Sequence, residues 1–146
     1  VHVTPYSADK AICEANFAAT RVQRKGPFFI LGGDINYPPQ AGPDPEFDRM
    51  KPYNRGARLI LGDPENPGLP VADRRVSWTL AANGLVDAAW HLYGKTADQD
   101  LLQRTGSDDR IDQIWVSPAL APAITDYGVV SGGSDHKGVW IRLDLT

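Results

Sequence analysis

The sequence predicts one domain of the mixed α/β (α+β) class. Two segments have the period of amphipathic helices, at residues 8–24 and about 73–83. Between and after them lie short stretches with the apolar, β-branched or alternating pattern of strands. Of the 146 residues, 42 % are hydrophobic and 23 % are charged, which is ordinary for a globular protein with its own core.

The composition argues against several classes of function. The formal net charge is −3 and no long block of Lys or Arg occurs, so the chain lacks the composition of a general polyanion binder. No apolar run approaches the roughly 20 residues that a membrane-spanning helix needs. We expect a soluble protein without a membrane span, with the cytoplasm favoured. The only cysteine, Cys13, is expected to be a small buried hydrophobic residue.

The first helix is predicted over residues 8–24. Ser7 is its expected N-cap, since a hydroxyl can accept a hydrogen bond from an unpaired amide of the first turn. After Gly26-Pro27, the apolar run at 28–31 predicts a strand buried on both faces, which Gly32-Gly33 should end. The helix itself is indicated by apolar residues at spacings of three and four: Ala11, Ile12, Ala15, Ala18, Ala19 and Val22.

Residues 38–70 differ in composition from the rest of the chain. Eight of the twelve prolines fall in this segment with four glycines, so regular elements should be few and short. We expect a Pro-rich insert that covers a site. The second helix should follow, with Asp73 as N-cap and Gly84 just past its end in the left-handed conformation that glycine favours.

The last part of the chain predicts mainly strands. β-branched and aromatic residues at 110–117 indicate one strand, which Pro118 should end. Apolar and polar residues alternate at 139–145, as in a strand with one buried face. The elements expected after the second helix are a short strand at 85–87, a loop at 94–109, and strands at 110–117, about 124–130 and 139–145.

Three short polar motifs lie at predicted strand ends or in loops beside them: Gly32-Gly33-Asp34-Ile35-Asn36, Arg110-Ile111-Asp112 and Ser134-Asp135-His136. Together with His2 they supply carboxylates, an amide and imidazoles that could converge on one rim. Each also has a structural explanation when taken singly. Asp34 and Asn36 are typical turn residues, Asp112 suits an edge position, and His2 suits a structural role. Arg110 is equally well explained as a partner of Asp108 or Asp109.

The order of these motifs resembles that of the endonuclease/exonuclease/phosphatase superfamily, which includes apurinic endonucleases, deoxyribonuclease I-like enzymes, inositol polyphosphate 5-phosphatases and sphingomyelinases. The family's Gly-Asp-Phe-Asn is matched by Gly33-Asp34-Ile35-Asn36, its Arg-Ile-Asp by Arg110-Ile111-Asp112, and its Ser-Asp-His by Ser134-Asp135-His136. The resemblance runs from His2 to the last strand. It implies a metal-dependent phosphoesterase whose fold is a four-layered α/β sandwich, mostly antiparallel sheet flanked by helices.

By this resemblance, His136 contacts the reacting phosphate, while Asp112 fixes the tautomer of its imidazole and favours the charged form. Asp34 activates or orients the attacking water and Asn36 positions it. His2 adds a second donor to the phosphate or assists the leaving group. The expected phosphate contacts are Asn36, His2, His136 and Arg110. The expected ligands of Mg²⁺, with Mn²⁺ or Ca²⁺ as alternatives, are Asp135, Asp34 and Asn36.

The resemblance covers only part of the family's domain. That domain has two similar halves, and its upstream half carries an Asn and the Glu that is the principal metal ligand. Neither motif occurs in residues 1–146. We therefore expect the chain to be the C-terminal half of one such domain, with the N-terminal half absent. The missing half or another chain would then cover an otherwise exposed apolar sheet face.

The sequence leaves three functions open. The first is hydrolysis of phosphodiesters, with DNA or RNA as substrate ahead of lipid and inositol phosphates. The second is a phosphomonoesterase acting on a small or lipid phosphate. The third is a catalytically incomplete remnant that only binds. Residues 101–104 occupy the place where many nucleases have aromatic residues. Fewer features of the sequence therefore support the nuclease subclass than support the superfamily.

Overall fold

A computed structural model describes all residues, Val1–Thr146, and shows two antiparallel sheets with helices packed against them. The predicted mixed α/β class, with antiparallel strands flanked by helices, is confirmed. Short 3₁₀ turns lie at Phe47–Arg49, Gln99–Leu102 and Ala121–Ala123. The helices and strands in chain order are α1 (Ala8–Gln23), β1 (Ile30–Asp34), α2 (Pro52–Arg58), α3 (Arg75–Ala82), β2 (Val86–Asp87), α4 (Ala88–Thr96), β3 (Asp112–Val116), β4 (Ile124–Val130) and β5 (Gly138–Leu143).

The larger sheet has the strand order β1-β3-β2, with β3 in the middle. β1 runs antiparallel to β3 in a register that places Asp34 opposite Asp112 and Ile30 opposite Val116. Directly opposed residues of an antiparallel pair have Cβ atoms about 5 Å apart. The register alone therefore brings these two carboxylates to the same end of the sheet.

The smaller sheet is the antiparallel pair β4-β5. β4 occupies the residues that the sequence predicts. Along β5, the side chains of Val139, Ile141 and Leu143 are half-buried and those between them are exposed, so the predicted alternation is confirmed up to Leu143. Leu145 lies beyond the strand and is exposed. The loop between β4 and β5 carries the Ser134-Asp135-His136 motif.

Two hydrophobic clusters form the core. The first packs α1 and α3 against β1 and contains Trp115 of β3, which is completely buried. The second packs α4 against β4 and β5 and contains Val116 of β3. Because β3 contributes to both clusters, its apolar residues are buried on both faces of the sheet.

Helix α1 begins as predicted at Ser7, whose hydroxyl accepts a hydrogen bond from the Lys10 amide. Its buried stripe is formed by Ala11, Ala15 and Ala19. Cys13 is exposed, so the prediction that it is buried is wrong. A residue two positions from Ala11 and Ala15 lies about 200° around the helix from each of them and therefore faces away from the stripe.

Strand β1 differs from its prediction at both ends. It starts at Ile30, and Gly32-Gly33 continue it to Asp34 instead of ending it. Gly33 has φ +145° and faces the backbone of Val1, an approach that a side chain would block. β1 is not buried on both faces, because Ile30 is exposed, as is Phe28 just before the strand.

The segment at 38–70 contains few regular elements, as its prolines and glycines predict, and only α2 is helical beyond one 3₁₀ turn. Helix α3 has Arg74 as its N-cap, and not Asp73. The Asp73 carboxylate instead accepts hydrogen bonds from the backbone and side chain of Arg75, two positions further on. Gly84 has φ +82° directly after the helix, as predicted.

Helix α4 is the element that the sequence pattern misses. It begins immediately after β2, and the Asp87 carboxylate caps it by accepting hydrogen bonds from the amides of Ala89 and Trp90. Strand and helix adjoin without a glycine or proline between them, so the N-cap Asp87 is the one local signal of the helix start. The helix continues through Thr96, and a 3₁₀ turn follows, within the residues expected to form a loop.

No helix of the protein combines the length and the apolar character that crossing a membrane requires.

Candidate active site

Three side chains from distant parts of the chain meet at one end of the larger sheet. Asp34 is the last residue of β1, Asp112 is the first residue of β3, and His136 lies in the loop between β4 and β5. One potential ligand atom from each lies within 4.8 Å of those from the other two. We refer to Asp34, Asp112 and His136 as the active-site cluster.

The shortest contact in the active-site cluster joins an imidazole to a carboxylate. His136 Nδ1 lies 3.0 Å from Asp112 Oδ2, which is hydrogen-bonding distance. A carboxylate on one ring nitrogen fixes the orientation of the ring and leaves Nε2 for a ligand. About a third of the His136 side chain is exposed, so that nitrogen is within reach of a substrate.

Thr105 holds both partners of this contact in place. Its hydroxyl accepts a hydrogen bond from the Asp112 amide at 2.8 Å, and its carbonyl accepts one from the Lys137 amide at 2.9 Å. The loop is further fixed by the hydrogen bond from the His136 amide to the Ser134 hydroxyl. Thr105 is completely buried. Sequence reasoning overlooks it, because a threonine in a polar stretch carries no signal of contacts made 7 and 32 residues away.

Asp34 connects the active-site cluster to the N-terminal residues. Its Oδ2 lies 3.8 Å from His136 Nδ1 and 3.7 Å from His2 Nε2. Its Oδ1 accepts a hydrogen bond from the Asn36 amide. Burial raises the pKa of the Asp34 carboxyl; the Asn36 amide opposes this effect and the charge of Asp112 adds to it. A carboxylate with a raised pKa is a stronger base than an ordinary one.

His2 reaches the same rim from the opposite side. Its backbone forms a parallel bridge with Asp34, and the Val3 amide donates a hydrogen bond to the Asp34 carbonyl. The imidazole is 74 % exposed, so it is free to move toward a bound molecule. The predicted grouping of His2 with the three residues of the active-site cluster is therefore present in the structure.

Asn36 is buried next to the active-site cluster in the left-handed conformation, with φ +62°. Its Nδ2 donates to the carbonyl of Val3 at 2.8 Å, and its Oδ1 accepts from Nη2 of Arg58 at 3.2 Å. An amide has two donor hydrogens and two lone pairs, so one of each remains. Its predicted roles toward water, phosphate and metal stay predictions.

Arg58 is a second residue that sequence reasoning overlooks. It lies at the end of α2, is 4 % exposed, and pairs with Asp108 through Nη1 at 3.1 Å. With His136 and Asp135 it lines a small cavity of about 110 Å³. Its guanidinium lies beside the active-site cluster, where its charge is paired with the buried carboxylate of Asp108.

Two of the predicted site residues lie elsewhere. Arg110 is 1 % exposed and its guanidinium pairs with Asp87, at 2.6 Å and 3.1 Å. The prediction that it contacts phosphate is wrong because the guanidinium is buried, and its carboxylate partner is neither Asp108 nor Asp109. Asp135 is exposed and lies outside the active-site cluster. The β1–β3 register and the β4–β5 loop bring Asp112 and His136 to Asp34. The role of Asp135 toward a metal stays a prediction.

The active-site cluster fits a divalent cation. Two carboxylates and an imidazole converge within 4.8 Å, and hard cations such as Mg²⁺ are bound in proteins by one or two carboxylates together with waters and substrate phosphate. The partly buried position of Asp34 also supports this fit, because a cation would offset the cost of holding two carboxylates close together. The donor set does not by itself choose between Mg²⁺ and Mn²⁺.

Two solved structures resemble this one. A variant of the 3′ phosphatase NExo from Neisseria, bound to product DNA hairpin, aligns with a TM-score of 0.59 and 22 % identity over 93 % of this chain. The 3′-5′ exonuclease NExo from Neisseria meningitidis aligns with a TM-score of 0.57 and 21 % identity over 93 % of this chain. The chain shares their fold.

The likeness extends over about half of each neighbour, since the alignments cover 52 % of those chains. At this level of identity it establishes the fold alone. No protein-family model and no curated protein matches the sequence.

Proposed function

We propose that the protein is a metal-dependent phosphoesterase that hydrolyses phosphodiester bonds of nucleic acid by attack of an activated water on phosphorus. The observation that carries this proposal is the convergence of Asp34, Asp112 and His136 at one end of the sheet. The similar structures are described as a 3′ phosphatase bound to DNA and a 3′-5′ exonuclease, which supports nucleic acid as the substrate.

In this proposal, His136 binds the reacting phosphate. Asp112 lies at hydrogen-bonding distance from Nδ1, which leaves Nε2 to contact a phosphate oxygen. Arg58 lines the same small cavity as His136 and holds Asn36 in place through Nη2. Donors fixed in advance stabilise the charge that builds up on the phosphate oxygens in the transition state.

Asp34 takes the proton from the attacking water, a role that its place at the end of β1 beside His136 supports. Asn36 has one donor hydrogen left with which to orient that water, and His2 supplies a second donor to the phosphate or assists the departing oxygen. Asp34 would hold Mg²⁺ together with Asp112 or with the predicted ligands Asn36 and Asp135, with Mn²⁺ or Ca²⁺ as alternatives. When bound, the cation would supply positive charge to the non-bridging phosphate oxygens.

The test is cleavage of a 5′-labelled DNA oligonucleotide by the full-length protein. We expect cleavage with Mg²⁺ that a chelator abolishes, and a fall of about 10²–10⁴-fold in kcat/KM for His136→Ala. His91→Gln is the matched control, because His91 is also half-buried but lies on α4, and it should behave like the wild type. Full activity in His136→Ala would contradict the proposal.

A phosphomonoesterase is the second candidate. The cavity of about 110 Å³ that His136 and Arg58 line is of a size for a compact phosphate, and one similar structure is described as a 3′ phosphatase. Release of inorganic phosphate from an oligonucleotide with a 3′-phosphate, without shortening of the chain, would favour this function. Binding of either oligonucleotide without any hydrolysis would instead favour the catalytically incomplete remnant.

We also propose that residues 1–146 are the C-terminal half of one domain, completed by an N-terminal half or another chain. Exposed apolar side chains support this: Val1, Phe17, Phe28 and Ile30 are all about half exposed or more. A fragment of residues 1–146 should bind a hydrophobic dye and self-associate, whereas a longer natural chain should not. A monomeric fragment that binds no dye would contradict this proposal.

A further inference from the structure

Asn54 is a buried residue whose side-chain amide has no partner in the protein. It lies on the buried face of α2 and is 8 % exposed. Its backbone amide donates to the Lys51 carbonyl, but its side chain neither donates nor accepts a hydrogen bond. Both polar atoms of the side chain keep some accessible surface, unlike Nε of Arg58 one turn further on. An amide that is this deeply buried and unpaired normally meets a ligand or a solvent molecule.

Asn54 lines the small cavity that His136 and Arg58 also line. Its volume of about 110 Å³ is well below the roughly 300–1,000 Å³ of pockets that enclose a whole ligand, so the cavity takes one small group of a larger molecule. Neither Asp34 nor Asp112 lines it. A group in this cavity therefore touches His136 but not the two carboxylates, and it is the part of a substrate next to the reacting phosphate.

The lining of the small cavity favours an anionic group. Lys51 lines it, is exposed, and has no acidic side chain within ion-pair distance; its ammonium lies 5.9 Å from the ring centroid of Tyr53. The charge of Arg58 is balanced by Asp108, which does not line the cavity. Asp135 is the one acid of the lining and is exposed, so solvent screens its charge. The unpaired ammonium is thus the charge that an incoming phosphate meets.

The surface around α2 is also free of acids. From Arg49 to Gly62 the chain has four cationic residues and no Asp or Glu. Helix α2 is fixed to the active site by Arg58, whose Nη2 donates to Asn36 Oδ1 at 3.2 Å. A strand of nucleic acid that leaves the active-site cluster along α2 therefore meets cations and no carboxylate of that helix, which is the charge pattern that a phosphate backbone requires.

We propose that Asn54 and Lys51 form a subsite for the phosphate next to the reacting one in a nucleic-acid strand. Nδ2 of Asn54 donates a hydrogen bond to a non-bridging oxygen of that phosphate, and the Lys51 ammonium pairs with its charge. This subsite rests on the proposed function of the active-site cluster. It makes the protein prefer a strand with two consecutive charged phosphates over a substrate with only one.

The test uses the thymidine trinucleotide TpTpT and two analogues in which one or the other linkage is a neutral methylphosphonate. Each analogue keeps one phosphodiester that can be cleaved, next to a linkage without charge. The full-length wild type should cleave TpTpT with a kcat/KM about tenfold higher than either analogue, mainly through KM. Asn54→Ala and Lys51→Ala should each reduce this preference to about twofold.

Lys25→Ala is the matched control, because Lys25 is also exposed and without an ion pair but follows α1, and it should keep the wild-type preference. Thermal unfolding checks that the variants are folded. Lys51 is exposed, so its variant carries the test if Asn54→Ala does not fold. Equal cleavage of TpTpT and its analogues by the wild type, or an unchanged preference in either folded variant, would overturn the subsite.

Binding of a thymidine decanucleotide in the presence of a chelator separates this proposal from the function of the active-site cluster, because it requires no hydrolysis. The slope of log K against log salt concentration should be shallower by about 0.7 in Lys51→Ala than in the wild type, and unchanged in Lys25→Ala. This result supports the subsite even if no oligonucleotide is cleaved. The same slope in Lys51→Ala and the wild type would overturn it even if cleavage occurs.

Discussion

The side chains of the active-site cluster owe their positions to contacts made by their neighbours. Thr105 holds the backbone on both sides of the His136–Asp112 contact, and Arg58 holds Asn36. Asp34 and Asp112 are placed by strand register. These supporting contacts keep the imidazole oriented before any substrate binds, which is the condition for efficient electrostatic stabilisation of a transition state.

Asp109 makes stability depend on pH. Burial raises its pKa to about 6 from an ordinary value of 3.8, against the opposing hydrogen bond from the Arg110 amide. The folded protein therefore holds this proton more tightly than the unfolded chain. The stabilisation is fully present below about pH 4 and is lost as the pH rises through 6. Between pH 4.5 and 7.5, the wild type should lose on the order of 2 kcal/mol of unfolding free energy relative to Asp109→Asn.

Urea unfolding of both proteins at several pH values measures this difference. Asp48→Asn, which changes an exposed carboxylate, should follow the wild type across the same range. A constant difference between the wild type and Asp109→Asn at every pH would contradict the account of this carboxyl.

At the scale of elements, Arg110 forms an ion pair that links the residues just before β3 to the start of α4. Its guanidinium pairs with Asp87, which also caps α4. Removing one member of a buried pair leaves the other charge unpaired, which costs about 3–5 kcal/mol. Arg110→Met should lower the unfolding free energy by that amount, measured in urea. Arg142→Met, which breaks the exposed pair with Asp126, should cost less than about 1 kcal/mol.

This pair of variants also tests the reassignment of Arg110. A residue whose role is to contact phosphate would lose substrate affinity when replaced and would leave stability almost unchanged. That outcome for Arg110→Met would restore the role that the sequence alone indicates.

Strand β1 accommodates the N-terminal residues because Gly33 has no side chain. A Cβ at that position would collide with the backbone of Val1, and φ +145° is strained for any L residue. Gly33→Ala should therefore lower the unfolding free energy by about 2 kcal/mol or more and reduce activity, because His2 would shift away from Asp34. Gly132→Ala, whose added Cβ meets no atom within 4 Å, is the control for both measurements. Unchanged activity in Gly33→Ala would contradict the prediction that activity depends on the position of His2.

Elements with a strong local period follow from the sequence. α1, β4 and the alternating part of β5 depend on side-chain spacing and caps within one segment, so they are predictable. α4 is missed because no glycine or proline separates it from β2. The exposure of Phe28 and Ile30 could not be foreseen, because a continuous apolar run does not distinguish an edge strand from a central one.

The residues of the site also differ in how far the sequence predicts them. Asp34, Asp112, His136 and His2 are found because their residue types occur in an ordered set of motifs. Arg58 and Thr105 are missed, and Arg110 is misplaced, because their partners are distant in the chain and only tertiary packing reveals them. Asp135 and His136 are adjacent in sequence, and only the fold shows which of the two faces the carboxylates.

At the scale of the whole molecule, the active-site cluster lies where the two sheets meet. Asp34 and Asp112 come from the larger sheet and His136 from the loop of the smaller one, with one hydrophobic cluster on each side of β3. The relative placement of the two sheets therefore decides whether the three side chains meet. The central claim is therefore that Asp34, Asp112 and His136 act together.

A double-mutant cycle on full-length protein tests that claim most directly. We expect Asp112→Asn and His136→Ala each to lower kcat/KM for oligonucleotide cleavage by about 10²-fold or more. When two residues act as one unit, the losses caused by replacing each of them do not add. The double variant should therefore have about the same kcat/KM as the less active single variant. Losses that multiply in the double variant, or a single variant with wild-type activity, would contradict the claim that these side chains form one catalytic unit.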